Sequence, residues 1–455
     1  MLSDETVTVR IPGTNISTTT DDSGFYTLND ATQGQLELLF SKGNTINYLP
    51  VGVESNRDSV YVQDVRFATS RGSSDNEISF YPTSLQSFTI TPVDYSDTIP
   101  PPWYSGRDFG AVSYFTVTDD KETEEAPLPV AGLRKIFIRT GPAGADITED
   151  LQDFPLGIRL TEEHFDFDAS VFTGENVSFI DSLGQRLNHE IEYWNSMTKS
   201  ALFWVLVPHV AGANDEQYIL MKWGDSALSE TPASGTVFSS TNNYRGVWHL
   251  DNSLTDATEF ANHGADLFTT PVYGILGPAR SFSRDNSSHI QIPNTTHFNI
   301  EGQITVSAWV QFETPGLYWD PIVAKGGDSF RLHRTYDFEG ASFSVTAFDD
   351  TLVHIDARGE TPVTDGGFHF LVGVRDADSI RIYVNGILDT STAHNGLLTW
   401  TNDELLMIGK NTEHDTRNFE GIIDEVRVSD TARSPEWIRL CYETQREEQV
   451  TVVFE

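Results

Sequence analysis

The sequence predicts an all-β protein built of three β-sandwich-type domains in tandem, and three observations support this prediction. Alternating apolar and polar residues, typical of half-buried strands, recur along the chain, as in "VTVRI", "KIFIRT" and "SIRIYVNG". Long stretches with apolar residues three and four apart, which would indicate amphipathic helices, are nearly absent. At roughly 150 residues per domain, a chain of 455 residues is long enough for three.

The charge balance limits the partners. The chain carries 29 Lys and Arg against 67 Asp and Glu, a formal net charge of -38. Because this charge repels phosphate backbones and anionic lipids, we expect neither nucleic acid nor a membrane surface as a partner. Such an acidic chain fits an extracellular or cell-surface setting. The opening residues "MLSDETVTVR" lack the basic start and apolar middle of a secretory signal, so an export signal is expected to have been removed.

Two further features exclude other classes of protein. The single cysteine, Cys441, excludes a disulfide framework within the chain, and its apolar neighbours predict a buried thiol. The longest apolar run, residues 201–207, is far shorter than the roughly 20 residues of a membrane-spanning helix, so no membrane insertion is expected.

Composition divides the chain into segments. Residues 96–132 are rich in proline, glycine and acidic residues, which is typical of a connector. A second joint follows residue 223, where small polar residues show no periodicity. These joints predict three domains, at residues 1–95, 133–231 and 240–455.

The N-terminal segment combines a strand, "VTVRI", a Pro-Gly turn, a threonine-rich strand and a "DDSGFY" turn that leads into a further strand. Over about residues 5–55 this order resembles the carboxypeptidase regulatory-like module, a small transthyretin-like β-sandwich. The resemblance implies a structural spacer, to which we assign no chemistry. That family usually begins with one more strand, which indicates either a truncation or an edge strand supplied otherwise.

The middle segment contains an Asp-Phe-Pro start, a turn at Gly174 before "VSFID", the strand "HEIEYW" and a "KWGD" finish. This order resembles a bacterial domain of unknown function that commonly precedes laminin-G-like modules in surface proteins. In "HEIEYW", Glu190 and Glu192 lie on one face of a strand, about 6.7 Å apart along it. That spacing is near the separation of the carboxylates of inverting glycosidases, which makes the pair a catalytic candidate. We favour the alternative, a solvated strand face with Ile191 and Tyr193 turned inward.

The C-terminal segment holds "YRGVWHLDNSLTDATEFANHG", "GQITVSAWVQF", "SIRIYVNGILD" and "GIIDEVRVSDTARSPEWI" in this order. Over about 210 residues these motifs resemble the laminin-G-like, concanavalin-type jelly roll. Alternation in the second motif places Trp309 on the face opposite Val306 and Val310. The Asn-Gly pair of the third motif predicts a hairpin turn. One short helix is predicted in "SPEWIRLCYETQ", because Ser434 suits the N-cap and Pro435 the first turn.

The loop "TDATEFANHG" is crowded with oxygen-bearing side chains. In the laminin-G-like family, such a loop and an Asp on the closing strand commonly form a calcium site, and calcium takes six to eight oxygen ligands. By position, the resemblance implies four ligands for Ca²⁺: Asp256, Asn262, the carbonyl of Gly264, and Asp424. Glu259 and Phe260 replace a glycine and an asparagine of the family pattern, so the loop departs from it. A polar loop held by Asn and Asp turns is the alternative.

Aromatic residues in two loops are candidates for ligand binding. Sugars present apolar faces ringed by hydroxyls, so a carbohydrate site needs exposed rings beside amides and carboxylates. "GLYWDP" offers Tyr318 and Trp319, and "LTWTND" offers Trp400. The alternative is that these rings cover the end of the sandwich.

These patterns favour one function over two others. Because no complete catalytic motif is found, we expect a non-enzymatic extracellular binding or adhesion protein that recognises a glycan or a protein surface through a calcium-bearing jelly roll. A polysaccharide-cleaving enzyme that uses Glu190 and Glu192 is the first alternative. The second is a structural subunit of a surface assembly, since the C-terminal strand "QVTVVFE" offers an edge to another strand.

Overall fold

The structure, a computed structural model, describes four strand backbones within residues 8–53, and residues 132–455 apart from short gaps. The gaps are residues 168–173, 175, 197, 224–234, 252, 294–295, 314–318, 336–338 and 415. The chain divides into two units, residues 1–128 and 129–455. Among the described residues, no helix combines the length and the apolar character needed to cross a membrane.

The first unit contains a four-stranded antiparallel sheet in the order β2-β1-β3-β4. Its strands are β1 (Thr8–Arg10), β2 (Ser17–Thr19), β3 (Gly34–Lys42) and β4 (Thr45–Val53). The first two coincide with the predicted "VTVRI" and threonine-rich strands, whereas the predicted "DDSGFY" turn lies outside the described residues. The assignment to a carboxypeptidase regulatory-like module stays a prediction.

The second unit begins with seven strands of the middle segment. They are β5 (Gly132–Ile138), β6 (Leu151–Thr161), β7 (Val177–Asp181), β8 (Arg186–Leu187), β9 (His189–Asn195), β10 (Ser200–Val210) and β11 (Tyr218–Trp223). One sheet has the order β6-β10-β9. A second has the order β5-β11-β7-β8 and gains a further strand beside β5 from the end of the chain.

The jelly roll follows, and its strands are divided between two antiparallel sheets. They are β12 (Tyr244–Trp248), β13 (Ala265–Leu267), β14 (Thr270–Tyr273), β15 (Pro278–Phe282), β16 (His289–Ile292), β17 (Ile304–Phe312), β18 (Pro321–Lys325), β19 (Phe330–Arg334), β20 (Gly340–Asp349), β21 (Thr351–Pro362), β22 (Phe368–Arg375), β23 (Ser379–Val384), β24 (Ile387–Ala393), β25 (Leu406–Ile408) and β26 (Gly421–Ser429). The eight-stranded sheet has the order β14-β15-β26-β17-β22-β23-β24, with β12 also paired to β26. The seven-stranded sheet has the order β13-β16-β25-β18-β19-β20-β21.

The chain ends with helix α1 (Pro435–Gln445) and strand β27 (Val452–Phe454). The predicted helix is confirmed: the Ser434 hydroxyl accepts a hydrogen bond from the Trp437 backbone N–H, and Cys441 is buried. Burial raises the pKa of the Cys441 thiol to about 11, which keeps it protonated and inert. The C-terminal strand predicted from "QVTVVFE" pairs with β5 of the same chain, so that pairing uses one of its two edges.

Two hydrophobic cores lie on opposite faces of the eight-stranded sheet. Val306, Val310 and Val428 point into the core between the two jelly-roll sheets, as alternation predicts. Trp309 points the other way, into a core that it shares with the middle segment and with Trp437 of α1. The middle segment and α1 therefore cover the outer face of the eight-stranded sheet. The all-β, jelly-roll prediction is confirmed, whereas the boundaries at residues 231 and 240 stay a prediction.

Gly386 offers a test of how α1 packs. It closes the β23-β24 hairpin at φ +78°, and a Cβ there would lie 3.1 Å from the Tyr442 Cβ in α1. Gly366 has a similar φ of +85° but nothing within 4 Å of a Cβ. We expect Gly366→Ala to lower the free energy of unfolding by about 1 kcal/mol through backbone strain alone, and Gly386→Ala by clearly more. Urea unfolding measures both, and equal losses would contradict this packing.

Candidate functional site

A bulge in β26 turns three charged side chains to one face of the eight-stranded sheet. Asp424 pairs with Trp309 and Arg427 pairs with Ser307, so β26 has one residue more than β17 over this stretch. The left-handed backbone of Glu425, at φ +54°, accommodates the extra residue. Asp424, Glu425 and Arg427 therefore all lie on the face that the middle segment covers.

His249, which follows β12, lies among three carboxylates. Its Nδ1 is 2.7 Å from Glu425 Oε2 and 3.6 Å from Glu192 Oε2. Its Nε2 is 3.0 Å from Glu190 Oε1. Two of these carboxylates come from β9 of the middle segment and one from β26 of the jelly roll. We call Glu190, Glu192, His249, Glu425 and Arg427 the buried cluster.

Two further groups hold the carboxylates of the buried cluster in place. The Trp204 indole N–H donates a 2.6 Å hydrogen bond to Glu192 Oε2, and Arg427 Nε donates a 2.7 Å bond to Glu425 Oε1. The Arg427 guanidinium also lies 4.3 Å from the centre of the Trp204 ring and 4.6 Å from that of Phe238. Aromatic faces and carboxylates thus surround a buried cation, the arrangement in which cation–π contacts contribute most.

Burial sets the charges in the cluster. The side chains of Glu192 and Glu425 are 0% exposed and that of His249 is 12% exposed. Burial raises the pKa of the Glu192 carboxyl well above its usual range, although His249 opposes it. Burial also lowers the pKa of His249, but Glu425 and Glu192 outweigh it and hold that pKa well above its ordinary value. For Glu425, burial is outweighed by His249 and Arg427, which lower its pKa. His249 and Glu425 therefore form an ion pair beside a protonated Glu192.

Asp424 lies next to this cluster. Its Oδ2 accepts hydrogen bonds from the backbone N–H groups of Ile275 and Leu276, at 2.9 and 3.0 Å. A Cβ on Gly274 would come within 2.3 Å of the same oxygen, so only glycine allows this approach. Burial raises the pKa of Asp424 to about 8, against the effect of the two N–H donors.

The prediction of a solvated face for Glu190 and Glu192 is wrong. Both residues are buried, whereas Ile191 and Tyr193 are partly exposed, because β9 lays its carboxylate face against the jelly roll. The catalytic role of the pair stays a prediction, but Glu192 offers a polysaccharide no exposed surface. Sequence reasoning missed the link to His249 and Glu425. The adjacent acids of "IIDEVRV" were its one available signal, because strict alternation would place one of them in the core.

Hydrogen bonds account for the conformation of the loop that was predicted to bind calcium. The Asp256 carboxylate accepts from the backbone N–H groups of Val247, Thr258 and Asn262, at 2.9 to 3.0 Å, and from the Thr258 hydroxyl at 2.9 Å. A carboxylate has about four lone-pair sites, and these four donors fill them. The Asn262 carbonyl accepts from the Trp248 indole, and Gly264 N–H donates to the Leu254 carbonyl.

This arrangement does not fit the predicted calcium ligands. The donors to Asp256 all lie within residues 247–262, whereas those to Asp424 are Ile275 and Leu276. The carboxylates of Asp256 and Asp424 share no donor. The donors to Asp256 occupy the positions that a cation would take. The calcium site stays a prediction against which these contacts argue.

The candidate aromatic residues lie at two places in the jelly roll. Trp319 lies under the Arg417 guanidinium, 4.3 Å from its ring centre, and is partly exposed. Trp400 is 43% exposed and contacts Phe348, which is 51% exposed, with ring centres 5.3 Å apart. The backbone holds this pair, because Trp400 N–H donates to the Thr346 carbonyl beside it. Tyr318 lies outside the described residues.

A row of polar side chains extends from this aromatic pair along β20 and β21. It lies on the face opposite the core residues Phe343 and Val345, and we call it the outer face of the seven-stranded sheet. Thr346 Oγ1 lies 2.9 Å from His354 Nδ1. Two residues further along β20, Ser344 Oγ donates to Asp356 Oδ1 at 2.6 Å.

Comparison with known families supports two of the predicted resemblances. Residues 284–439 match a laminin G profile described as the concanavalin A-like lectin/glucanases superfamily. Residues 173–250 match the profile of a domain of unknown function, DUF2341. The buried cluster joins the two, because Glu190, Glu192 and His249 lie in the second matched range and Glu425 in the first. No protein of curated function matches the chain.

Solved structures of low identity cover under half of the chain. Domain 4 of an extracellular arabinanase from Geobacillus stearothermophilus, in complex with arabinotriose, is 17% identical with a TM-score of 0.35, and the match covers 45% of this chain and 98% of that one. The binding domain of Paraclostridial mosquitocidal protein 1 is 11% identical with a TM-score of 0.39, and the match covers 45% and 52%. The binding domain of botulinum neurotoxin DC, in complex with SialylT, is 11% identical with a TM-score of 0.38, and the match covers 46% and 53%. The chain spans about half the length of these two toxin binding domains.

The buried charges predict how stability depends on pH. The folded chain keeps protons on Asp424 and Glu192 that the unfolded chain releases above about pH 4. His249 likewise keeps a proton that the unfolded chain loses above about pH 6.5. The free energy of unfolding should therefore fall as pH rises from about 4 through the folded pKa of Asp424, which is about 8. Glu425, with its lowered pKa, opposes this trend only below its ordinary value of 4.5.

Urea unfolding at pH 5, 7 and 9, with a chelator present, measures this slope. Asp424→Asn cannot release a proton at this position, so its stability should fall less across the same range. An equal slope in wild type and variant would show that Asp424 is not the group responsible.

Asp256 provides a separate test of the loop. Asp256→Ala leaves three buried N–H groups and a hydroxyl without their acceptor, so we expect the free energy of unfolding to fall by about 2 kcal/mol or more. The loss should be the same with calcium and with chelator. Asp251→Ala, in which the lost acceptor faces solvent, is the matched control and should have a small effect. Calcium that raises the melting temperature of the wild type but not of Asp256→Ala would instead establish the calcium site.

Proposed function

We propose that the chain is an extracellular or cell-surface protein that binds carbohydrate, without cleaving it, on the outer face of the seven-stranded sheet. The exposed contact between Phe348 and Trp400 is the observation that carries this proposal. Neither ring is needed to fill the core. Contiguous exposed apolar surface is a common mark of a binding site.

The chemistry of this face suits a sugar better than a flat apolar partner. Rings at one end offer a surface on which the apolar face of a sugar can stack. The hydroxyls of Ser344 and Thr346 are buried, but the side chains of His354 and Asp356 on β21 are 51% and 23% exposed and offer hydrogen bonds to sugar hydroxyls. Asp356 is already held by Ser344 and by Arg358, at 2.6 and 3.0 Å, so its orientation is fixed before a ligand arrives.

The length of the face indicates the size of the ligand. Phe348 and Ser344 are four residues apart on β20, which is about 13 Å along a strand. A ligand that contacts both the aromatic pair and Asp356 therefore contains several sugar rings. The proposed ligand is an oligosaccharide or a polysaccharide chain, not a single sugar.

Other features are consistent with binding without cleavage. Glu190 and Glu192, the predicted catalytic pair, lie in the buried cluster. The description of the matching family includes both lectins and glucanases, and the fold alone does not choose between them. The N-terminal unit, if it is a carboxypeptidase regulatory-like module, would act as a spacer.

Affinity measurements on a polysaccharide panel test the proposal. Trp400→Ala should weaken binding by about 5- to 30-fold, because loss of one stacking ring costs on the order of 1 to 2 kcal/mol. Phe268→Ala is the matched control, since Phe268 is 73% exposed but follows β13, at the opposite edge of the same sheet. Equal affinities for wild type and Trp400→Ala, or equal losses in both variants, would contradict the proposal. Release of reducing ends from any bound polysaccharide would contradict binding without cleavage.

A further inference from the structure

We propose that the buried cluster is a site for one divalent transition-metal ion, ligated by Glu192, His249 and Glu425, which joins the middle segment to the jelly roll. Within the described part of the chain, these three residues each place a ligand atom within 4.8 Å of the other two. An imidazole with two carboxylates is a donor set that zinc and its neighbours accept.

Hydrogen bonds hold the outer atoms of two ligands, His249 Nε2 and Glu425 Oε1, so that His249 Nδ1 and Glu425 Oε2 face each other. Glu190 Oε1 lies 3.0 Å from His249 Nε2 and so holds the proton on that nitrogen, which leaves Nδ1 as the metal ligand. A carboxylate that orients a ligating histidine through its other nitrogen is the usual outer partner in such sites. Arg427 occupies Glu425 Oε1 and leaves Oε2 facing His249.

A buried oxygen of Glu192 that lacks a hydrogen bond is a second observation in favour of a metal ion. Its side chain is 0% exposed, Trp204 binds one of its oxygens, and the other, Oε1, has no hydrogen-bond partner among the described residues. A buried carboxylate oxygen without a partner is costly, and a cation is the partner that such an oxygen prefers. Oδ1 of Asp424, the residue before Glu425, also has no hydrogen-bond partner among the described residues.

The distances suit a small ion. Bonds of about 2.0 to 2.2 Å at tetrahedral angles place ligand atoms about 3.4 Å apart. The 3.6 Å between His249 Nδ1 and Glu192 Oε2 is close to this separation. The 2.7 Å between His249 Nδ1 and Glu425 Oε2 would open by about 0.7 Å. Calcium fits poorly, because it takes six to eight oxygens.

Carboxyl groups outnumber guanidinium groups around the proposed site. Four carboxylates, of Glu190, Glu192, Asp424 and Glu425, lie together in and beside the cluster. Arg427 contacts one of them, and Arg159 acts on Glu192 and Asp424.

Zinc titration of the chelator-stripped full chain tests the site. We expect one equivalent of Zn²⁺ to bind by calorimetry and to raise the melting temperature, and Co²⁺ to give visible absorption bands typical of nitrogen and oxygen ligands. Glu192→Gln should weaken Zn²⁺ binding at least about a hundredfold, while its amide oxygen still accepts from Trp204. Glu190→Gln should weaken it by about 10 to 100-fold, the loss typical of an outer partner.

The exposed pair of His209 and Asp150, 3.9 Å apart, provides the control for adventitious binding. Asp150→Asn should bind Zn²⁺ as the wild type does. A folded wild type that takes up neither Zn²⁺ nor Co²⁺ at one equivalent would overturn the proposal, as would wild-type affinity in the glutamate variants. If Glu192→Gln does not fold, Glu190→Gln decides in the same way.

Discussion

The burial of charge on the outer face of the eight-stranded sheet is the constraint on which the second unit depends. Asp424, Glu425 and Arg427 lie under the middle segment, where water does not solvate them. A buried charge without a partner costs several kcal/mol, so the covering strands must bring complementary groups to fixed positions. From β9, Glu190 contacts His249, which pairs with Glu425, and from β10 the Trp204 ring packs on Arg427. The same groups would be buried without partners if the middle segment were shifted along the sheet by one residue.

This constraint leaves the two outer faces of the jelly roll with different roles. The eight-stranded sheet is covered on both sides, so it contributes to two cores and presents little to a ligand. The outer face of the seven-stranded sheet carries the exposed rings of Phe348 and Trp400 and the polar row that ends at Asp356. A binding surface is therefore expected on the seven-stranded sheet, which is packed on one face only. The eight-stranded sheet, packed on both faces, is expected to have a structural role.

The sequence predicted those features that depend on local chemistry. Alternation in "ITVSAWVQF" placed Trp309 correctly, the cap at Ser434 located the helix, and Asn385 and Gly386 form the predicted hairpin turn with φ of +52° and +78°. It failed where a distant segment changes the environment of a residue. Glu190 and Glu192 alternate as solvated residues do, and only the packing of β9 on β26 buries them. Asp256 likewise has the side chain of a calcium ligand, but which donors fill its oxygens depends on the folded loop.

The two halves of the second unit also complete each other's sheets. The DUF2341 match ends at residue 250, so β12 belongs to it in sequence, yet β12 pairs with β26 of the jelly roll. In return, β27, which follows the jelly roll, pairs with β5 of the middle segment. Each half thus supplies a strand that the other lacks, and His249, directly after β12, lies beside the first of these crossings. Because separation would expose two strand edges and the buried cluster together, the halves are expected to unfold as one cooperative unit.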